Sequence, residues 1–271
     1  MRYLELSPPP ELAALVHRIW FLETDRSAPD GEPILPDGRP ELIFHLGEPF
    51  ALETAHGGEE RQTDALFAGQ LVSPLRVRSS AGGDVVGIRL RPEAAPALTG
   101  ESADRMTGRV PPLADLARGI SRELLGLLRR AVGPDARVEA IARVLGGLSR
   151  GPSQLVASAV RAIERTPTVA VAALARSLAC SERTLERRFR AEVGVSPRTL
   201  GRIVRFRRAV RMIGGREDTL ARVAARAGYA DQAHLAREFR RLAGRPPSSF
   251  VEERAELGRA LATGGPKDGG G

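Results

Sequence analysis

The stretch Ser181-Glu182-Arg183-Thr184-Leu185-Glu186-Arg187-Arg188-Phe189-Arg190, closed by Gly194 and Pro197, decides how this chain is read, because its pattern recurs. At a displacement of 50 residues Leu185 pairs with Leu235, Arg187 with Arg237, Phe189 with Phe239, Arg190 with Arg240, Gly194 with Gly244 and Pro197 with Pro247. Small residues 49 apart, Ala179 and Gly228, stand at the turn before each copy. Each copy reads as a helix, a tight turn, a second helix and a Gly-x-x-Pro stop, the helix-turn-helix layout.

In the first unit Val171, Leu174 and Leu178 form the apolar stripe of a supporting helix, and the chain turns at Ala179-Cys180. Ser181 is a good N-cap, with Glu182 and Thr184 in the first turn. The helix from Glu182 to Glu192 then places Leu185, Phe189 and Val193 inward at i, i+4 and i+8, which leaves Arg183, Glu186, Arg187 and Arg190 outward. Gly194 ends it in the usual C′ manner. In the second unit Leu220, Val223 and Ala224 support, Gly228-Tyr229 turns and Asp231 caps. Leu235, Phe239 and Leu242 are expected inward; Gln232, His234, Arg237 and Arg241 are expected outward. A linker helix from Pro197 to Ile213 joins the units, with Leu200, Val204, Ala209, Met212 and Ile213 as core candidates. Arg202, Arg205, Arg207, Arg208 and Arg211 surround them.

This pattern fits double-stranded DNA. A recognition helix enters the major groove through its first two turns, so base-reading side chains must lie there. Arginine forks onto a guanine edge, glutamine onto adenine, and glutamate accepts from cytosine. Arg183, Glu186 and Arg187 meet that need in the first unit, and Gln232, His234 and Arg237 in the second. Glu186 has an alternative use in pairing with Arg183 or Arg190 at helical spacing. Arg190, Arg240 and the arginines of the linker helix are expected on phosphates or in solvent. Two such helices on one linker could enter successive major grooves, roughly 34 Å apart.

Charge distribution supports the reading. Residues 153–250 carry 20 Arg against 8 acidic residues, a balance of +12, whereas residues 1–152 carry 18 Arg against 21 acidic residues, a balance of −3. The positive field thus belongs to one segment, as a phosphate-binding domain requires. Lys267 is the only lysine. No membrane-length apolar run or signal pattern is present, and a cytoplasmic location is expected. One cysteine, Cys180, excludes a disulfide framework and a thiolate metal cluster.

Upstream, residues 1–110 read as β-rich and barrel-like. Pro36-Asp37-Gly38 precedes Glu41-Leu42-Ile43-Phe44, and Gly82-Gly83-Asp84 precedes Val85-Val86-Gly87-Ile88, each a turn signal before a strand run. Val77, Ile88 and Leu90 alternate with arginines. Helices are expected near Glu11–Trp20 and Glu93–Leu98. Over 111–152 the period becomes helical: Leu113, Leu116, Ile120, Leu124 and Leu127 share a face, as do Val138, Ile141, Leu145 and Leu148 after Gly133-Pro134. These helices could pack on their own domain or on a second subunit. Residues 153–254 form the all-α domain of two helix-turn-helix units, giving an α+β chain overall, and the Gly-rich segment 255–271 is expected to be disordered.

At these residues the sequence closely resembles the AraC/XylS family of bacterial transcription regulators. The resemblance rests on Leu174-Ala175, the Ser181–Phe189 stretch, Gly194-Val195-Ser196-Pro197 and Arg205-Phe206-Arg207-Arg208-Ala209. Gly228-Tyr229-Ala230-Asp231-Gln232-Ala233-His234-Leu235, with Arg237, Phe239 and Gly244-x-x-Pro247, completes it. The resemblance implies a reader with two motifs on one face of the DNA. By position it implies base contacts at Arg183, Glu186, Arg187, Gln232, Ala233, His234 and Arg237, and phosphate contacts at Ser181, Arg190, Arg205, Asp231 and Arg240. Residues 1–110 are similar to the sensor of one branch of the family, through Trp20, Leu35-Pro36-Asp37-Gly38 and Gly87-Ile88-Arg89-Leu90-Arg91-Pro92.

The other chemistry-bearing residues read plainly. Cys180 plugs the helix-turn-helix interface. His17, His45 and His56 are scattered, unlike the clustered ligands of a metal-dependent barrel. Asp37 is a turn residue and Trp20 and Phe44 are core. No cofactor, metal or catalytic role is expected. A small-molecule effector, a homodimer and, for an activator, RNA polymerase are the candidate partners beside DNA. An assembly module without ligand, or an enzyme fused to a recruitment domain, are the alternatives for residues 1–150.

Overall fold

The first turn signal stands ahead of a paired strand, whereas Gly83 and Asp84 of the second are already paired within theirs. In the computed structural model, which describes residues 2–24, 28–54, 57–79, 82–148, 151–213 and 219–252, Asp37 Oδ1 accepts from the Arg39 amide at 2.9 Å and the chain re-enters as a strand at Glu41. The tail 255–271 and His56 lie outside the described residues. The strands are β1 (Arg2–Leu6), β2 (Val16–Thr24), β3 (Ala28–Ile34), β4 (Glu41–His45), β5 (Ala51–Glu53), β6 (Glu59–Arg61), β7 (Ala65–Ala68), β8 (Leu75–Ser79) and β9 (Gly83–Leu90). They form two antiparallel sheets, ordered β1-β2-β9-β4-β7 and β3-β8-β5-β6.

β9 lies at the centre of the larger sheet, so Val85, Val86 and Ile88 are buried on both of its faces. Gly87 lies opposite Trp20 in the register, and a Cβ there would come within 1.9 Å of the indole ring. The glycine exists to seat the tryptophan. Phe44 is fully buried, as expected, whereas Trp20 is half-buried across this glycine.

The expectation of a helix over Glu11–Trp20 is corrected. Only Pro10–Leu12 turns, as 3-10 structure, and β2 begins at Val16. Leu12, Leu15, Val16 and Ile19 satisfy helical spacing by coincidence. The β-branched and aromatic residues Val16, Ile19, Trp20 and Phe21 prefer a pleated surface, and pairing to both β1 and β9 secures it.

The helices are α1 (Ala95–Thr99), α2 (Leu113–Arg130), α3 (Gly133–Leu145), α4 (Gln154–Arg165), α5 (Val171–Ser177), α6 (Glu182–Val193), α7 (Pro197–Met212), α8 (Leu220–Ala227) and α9 (Gln232–Ala243). α1 to α3 cover one face of the larger sheet, where Ile19, Phe21, Leu42, Phe44, Phe67, Ile88 and Leu90 meet Leu113, Leu124, Leu128, Ile141 and Leu145. The expected stripe of α2 is therefore right at its start and displaced at its end. Ala117 leaves helical geometry (φ −148°, ψ 66°), and beyond it Ser121, Leu124 and Leu128, not Leu127, turn inward. No helix among the described residues is long and apolar enough to cross a membrane.

The remaining six helices hold two further cores. One gathers Val156, Val160 and Ile163 of α4 with Leu174, Leu185, Phe189, Val193 and Leu200. The other gathers Val223 and Ala224 with Leu235, Phe239, Leu242 and the linker residues Ile203, Phe206, Ala209 and Ile213. α7 thus belongs to one core at Leu200 and Val204 and to the other at Ile203, Phe206, Ala209 and Ile213. A single rigid rod ties the two units together.

Candidate nucleic-acid interface

The local sequence builds both units by the same means. In the first, α5 is followed by a turn in which the Cys180 amide donates to Ala175 O at 3.0 Å. Ser181 Oγ then accepts from the Thr184 amide at 3.1 Å and starts α6. In the second, the Tyr229 amide donates to Ala224 O at 2.9 Å, and Asp231 Oδ1 accepts from the His234 amide at 2.6 Å to start α9. Both turns pass through the left-handed region, at Ala179 (φ 52°) and Gly228 (φ 86°). Gly228 adopts that conformation without strain and Ala179 does not.

The inward faces match expectation closely: Leu185, Phe189, Val193, Leu235 and Phe239 are fully buried and Leu242 nearly so. Burial of these residues fixes what faces outward. On α6, Arg183 and Arg187 are exposed at i and i+4, with half-buried Glu186 between them. Glu186 lies 3.9 Å from Arg190, a loose pair that leaves its carboxylate available. On α9, Gln232, Ala233 and Arg237 are exposed. His234 is half-buried, its ring set edge-to-face on Tyr229 at 5.2 Å and its Nδ1 3.5 Å from the Ala230 amide. The exposed Arg190 and Arg240 occupy equivalent later positions on the two helices. Each helix therefore presents its polar residues on the face opposite its Leu/Phe stripe, beginning at a capped N-terminus whose amides favour anions.

Gly194 closes α6 at φ 87°, and its carbonyl accepts from Thr107 Oγ1 at 2.7 Å. Ser102 Oγ also reaches Ala191 O at 3.4 Å. The end of the first exposed helix is thus anchored to the amino-terminal half of the molecule.

Residues 174–253 match a helix-turn-helix domain family, and residues 4–112 match a family described as a domain of unknown function (DUF6597). A Streptomyces lividans protein named as an AraC-like transcription regulator is 34% identical over 109 residues, which cover 40% of this chain and 36% of that relative's length. Among solved structures, ToxT from Vibrio cholerae superposes with a TM-score of 0.50 at 9% identity, over 86% of this chain and 98% of ToxT. At that identity the likeness concerns the fold: a β-rich half followed by two helical units. Residues 174–253 belong to the helix-turn-helix domain family. A DNA-binding transcriptional dual regulator from Escherichia coli K-12 also matches, at 24% identity and a TM-score of 0.35, over 38% of this chain and 95% of that one.

In this chain the linker-helix arginines divide in a way that spacing does not reveal. Arg202 makes two hydrogen bonds to Glu238 on α9, at 2.8 and 2.6 Å. Burial alone would raise the Glu238 pKa, but the hydrogen bonds and charge of Arg202 outweigh it and hold the carboxyl below its ordinary range. Arg205 turns inward, donating to Pro167 O at 3.2 Å with its guanidinium 5.6 Å from the Tyr229 ring centroid. Arg208 donates to Glu164 O and Arg165 O at 2.6 and 2.9 Å, closing the C-terminus of α4. Arg205 and Arg208 are thus engaged within the molecule. Ser181 and Asp231 use their side chains as caps, leaving first-turn amides to meet an anion.

Three structural residues were not anticipated. Ile203 and Phe206 are fully buried at the centre of the second core, in edge-to-face contact between Phe206 and Phe239 at 4.9 Å. Their signal was present in the i, i+3 and i+10 spacing of Ile203, Phe206 and Ile213. Glu238 lies on the inward stripe between Leu235 and Leu242, and an acid in that position signals a buried cation opposite.

Proposed function

We propose that this protein is a transcriptional regulator that binds a specific site in double-stranded DNA through α6 and α9. One observation carries the reading: two capped helices, repeated at a 50-residue interval, expose arginines at the same helical position, Arg187 and Arg237, opposite fully buried Leu/Phe stripes. Arg183, Glu186 and Arg187 read base edges in one major groove, and Gln232, His234 and Arg237 in the next, with Ala233 offering an apolar contact to a thymine methyl. The N-terminal amides at Ser181 and Asp231 and the side chains of Arg190 and Arg240 hold phosphates and set the register. Arg205 acts from within, positioning the Pro167 loop. No chemical step is assigned to the chain.

The amino-terminal half biases this reading head, through a small-molecule effector or through homodimer assembly. Its hydrogen bonds to the end of α6 support that role. RNA polymerase is a further partner if the protein activates. DNase footprinting of the purified protein on the region upstream of its own gene tests the central claim. Protection of two adjacent major grooves on one face is expected, weakening steeply with salt in proportion to the phosphates neutralised. Absence of salt-sensitive protection there and across a random-site selection would refute it.

A further inference from the structure

Two arginines of α7, Arg207 and Arg211, are used by neither helical unit and line a cavity against the sheet side, beside Arg208. Val204, Arg207, Arg208 and Arg211 of α7 face His17, Arg39 and Arg89 across a cavity of 240 Å³ between the two halves of the molecule. Five guanidiniums line it against only two carboxylates, Asp37 and Glu164. Those carboxylates are already engaged. Glu164 pairs with Arg39 at 2.5 Å, and Asp37 lies 3.2 Å from Arg89, which also binds the Glu41 carboxylate at 2.6 Å.

The positive excess is therefore local, and it rests on Arg207 and Arg211, since Arg39, Arg89 and Arg208 already have partners. Arg207 and Arg211 make no ion pair or hydrogen bond among the described residues, and Arg39 Nη1 is buried without a partner. Burial holds the Arg207 guanidinium below its ordinary pKa, and Arg89 and Arg211 add repulsion against the pull of Asp37 and Glu41. His17 is pushed down to about 3 by burial and by Arg39, Arg18, Arg89 and Arg91, so it faces the cavity as a neutral imidazole. A half-buried cation without a partner, as Arg207 is, is costly unless an anion joins it.

We propose that this cavity binds a compact, multiply charged phosphate, of the monoester or diphosphate class, held between Arg39 on the sheet side and Arg207 and Arg211 on α7. Planar guanidinium forks suit phosphate oxygens better than any other common ligand. Among the lining side chains only Leu200 and Val204 are aliphatic, so the site offers an acyl chain little, and its volume excludes a duplex. The ligand would touch both the sheet and the rod that carries both exposed helices. The proposal gives the effector suggested above a chemical class and rests on the DNA-binding reading only for its consequence, not for the site.

The test uses the full chain, with sodium pyrophosphate as probe and sodium chloride at matched ionic strength as control. Pyrophosphate is expected to raise the melting temperature saturably, and calorimetry to give one site. Arg207→Gln and Arg211→Gln should each weaken binding roughly tenfold or more. Arg187→Ala should bind the probe as the parent does. Circular dichroism checks folding, and Arg211, exposed at the cavity rim, keeps the test valid if the Arg207 variant unfolds. A shift that chloride reproduces overturns the proposal, as does one abolished by Arg187→Ala and retained by both α7 variants. Saturable succinate binding at the same arginines, without pyrophosphate binding, overturns the phosphate class. Duplex affinity measured on the same preparation separates the two readings. Protein that binds DNA but no pyrophosphate overturns the cavity proposal alone, and the reverse result overturns the DNA reading alone.

Discussion

Arg187 and Arg237 do at single positions what the repeat as a whole suggests. Each is exposed while the leucine and phenylalanine two residues to either side are fully buried, so the helix cannot rotate to withdraw it. Replacing either with Ala should weaken specific DNA binding by about 1–3 kcal/mol and relax preference at one base pair, measured by fluorescence anisotropy on single-substituted sites. Unchanged preference in both variants would remove the base-reading assignment. Ala179 makes a different point. Its left-handed backbone carries a penalty that Gly228 avoids at the equivalent turn. Ala179→Gly should therefore stabilise the protein by up to about 1 kcal/mol, seen as a higher denaturant midpoint with an unchanged slope.

Among the elements, α6 and α7 are the ones whose placement matters most. Gly194 ends α6 with φ 87°, and a Cβ there would approach Thr107 Oγ1 to 2.7 Å and Ala103 O to 3.0 Å. Gly194→Ala is expected to cost about 1–3 kcal/mol in thermal or denaturant unfolding, part of it from backbone strain and part from pushing the two halves apart. On α7, Arg202 clamps α9 through Glu238. Because the folded carboxyl titrates below its ordinary value of 4.5, the pair contributes fully above that pH and its contribution is lost as pH falls through the lower folded value. Arg202→Met should flatten the acid limb of the stability curve below about pH 4.5, the ordinary value, and a limb as steep as the parent's would show that the clamp contributes nothing.

For the whole molecule, the decisive feature is that charge and core are arranged separately. The basic segment stands on apolar cores of its own, and the sheet packs on α1 to α3. Two imidazoles, half-buried His17 at the junction of the halves and buried His45 at the end of β4, set the pH response. His17 titrates at about 3 in the folded state against an ordinary 6.5, and burial also lowers His45 despite its contact with Gln62. Folded pKa values below the unfolded ones mean full stability above about pH 6.5, the ordinary value, and progressive loss as pH falls from there toward about 3. His17→Gln should reduce that slope, measured by chemical denaturation across the range, and no change would place the acid sensitivity elsewhere.

The sequence alone determined the helix-turn-helix repeat, its caps, its inward stripes and its glycine stops, because those depend on residues within one turn of each other. It also located the strand runs at Glu41 and Val85, where turn residues and β-branched residues agree. It failed at Val16–Ile19, whose spacing suits a helix, because strand formation there depends on β1 and β9 lying on either side. It missed the re-phasing of α2 at Ala117 and the inward arginines of α7 for the same reason. Whether Arg202 meets Glu238, Arg205 meets Tyr229, or Arg207 faces an open cavity depends on contacts between residues far apart in the chain. Periodicity can say which residues share a face of a helix; only tertiary packing decides what that face meets.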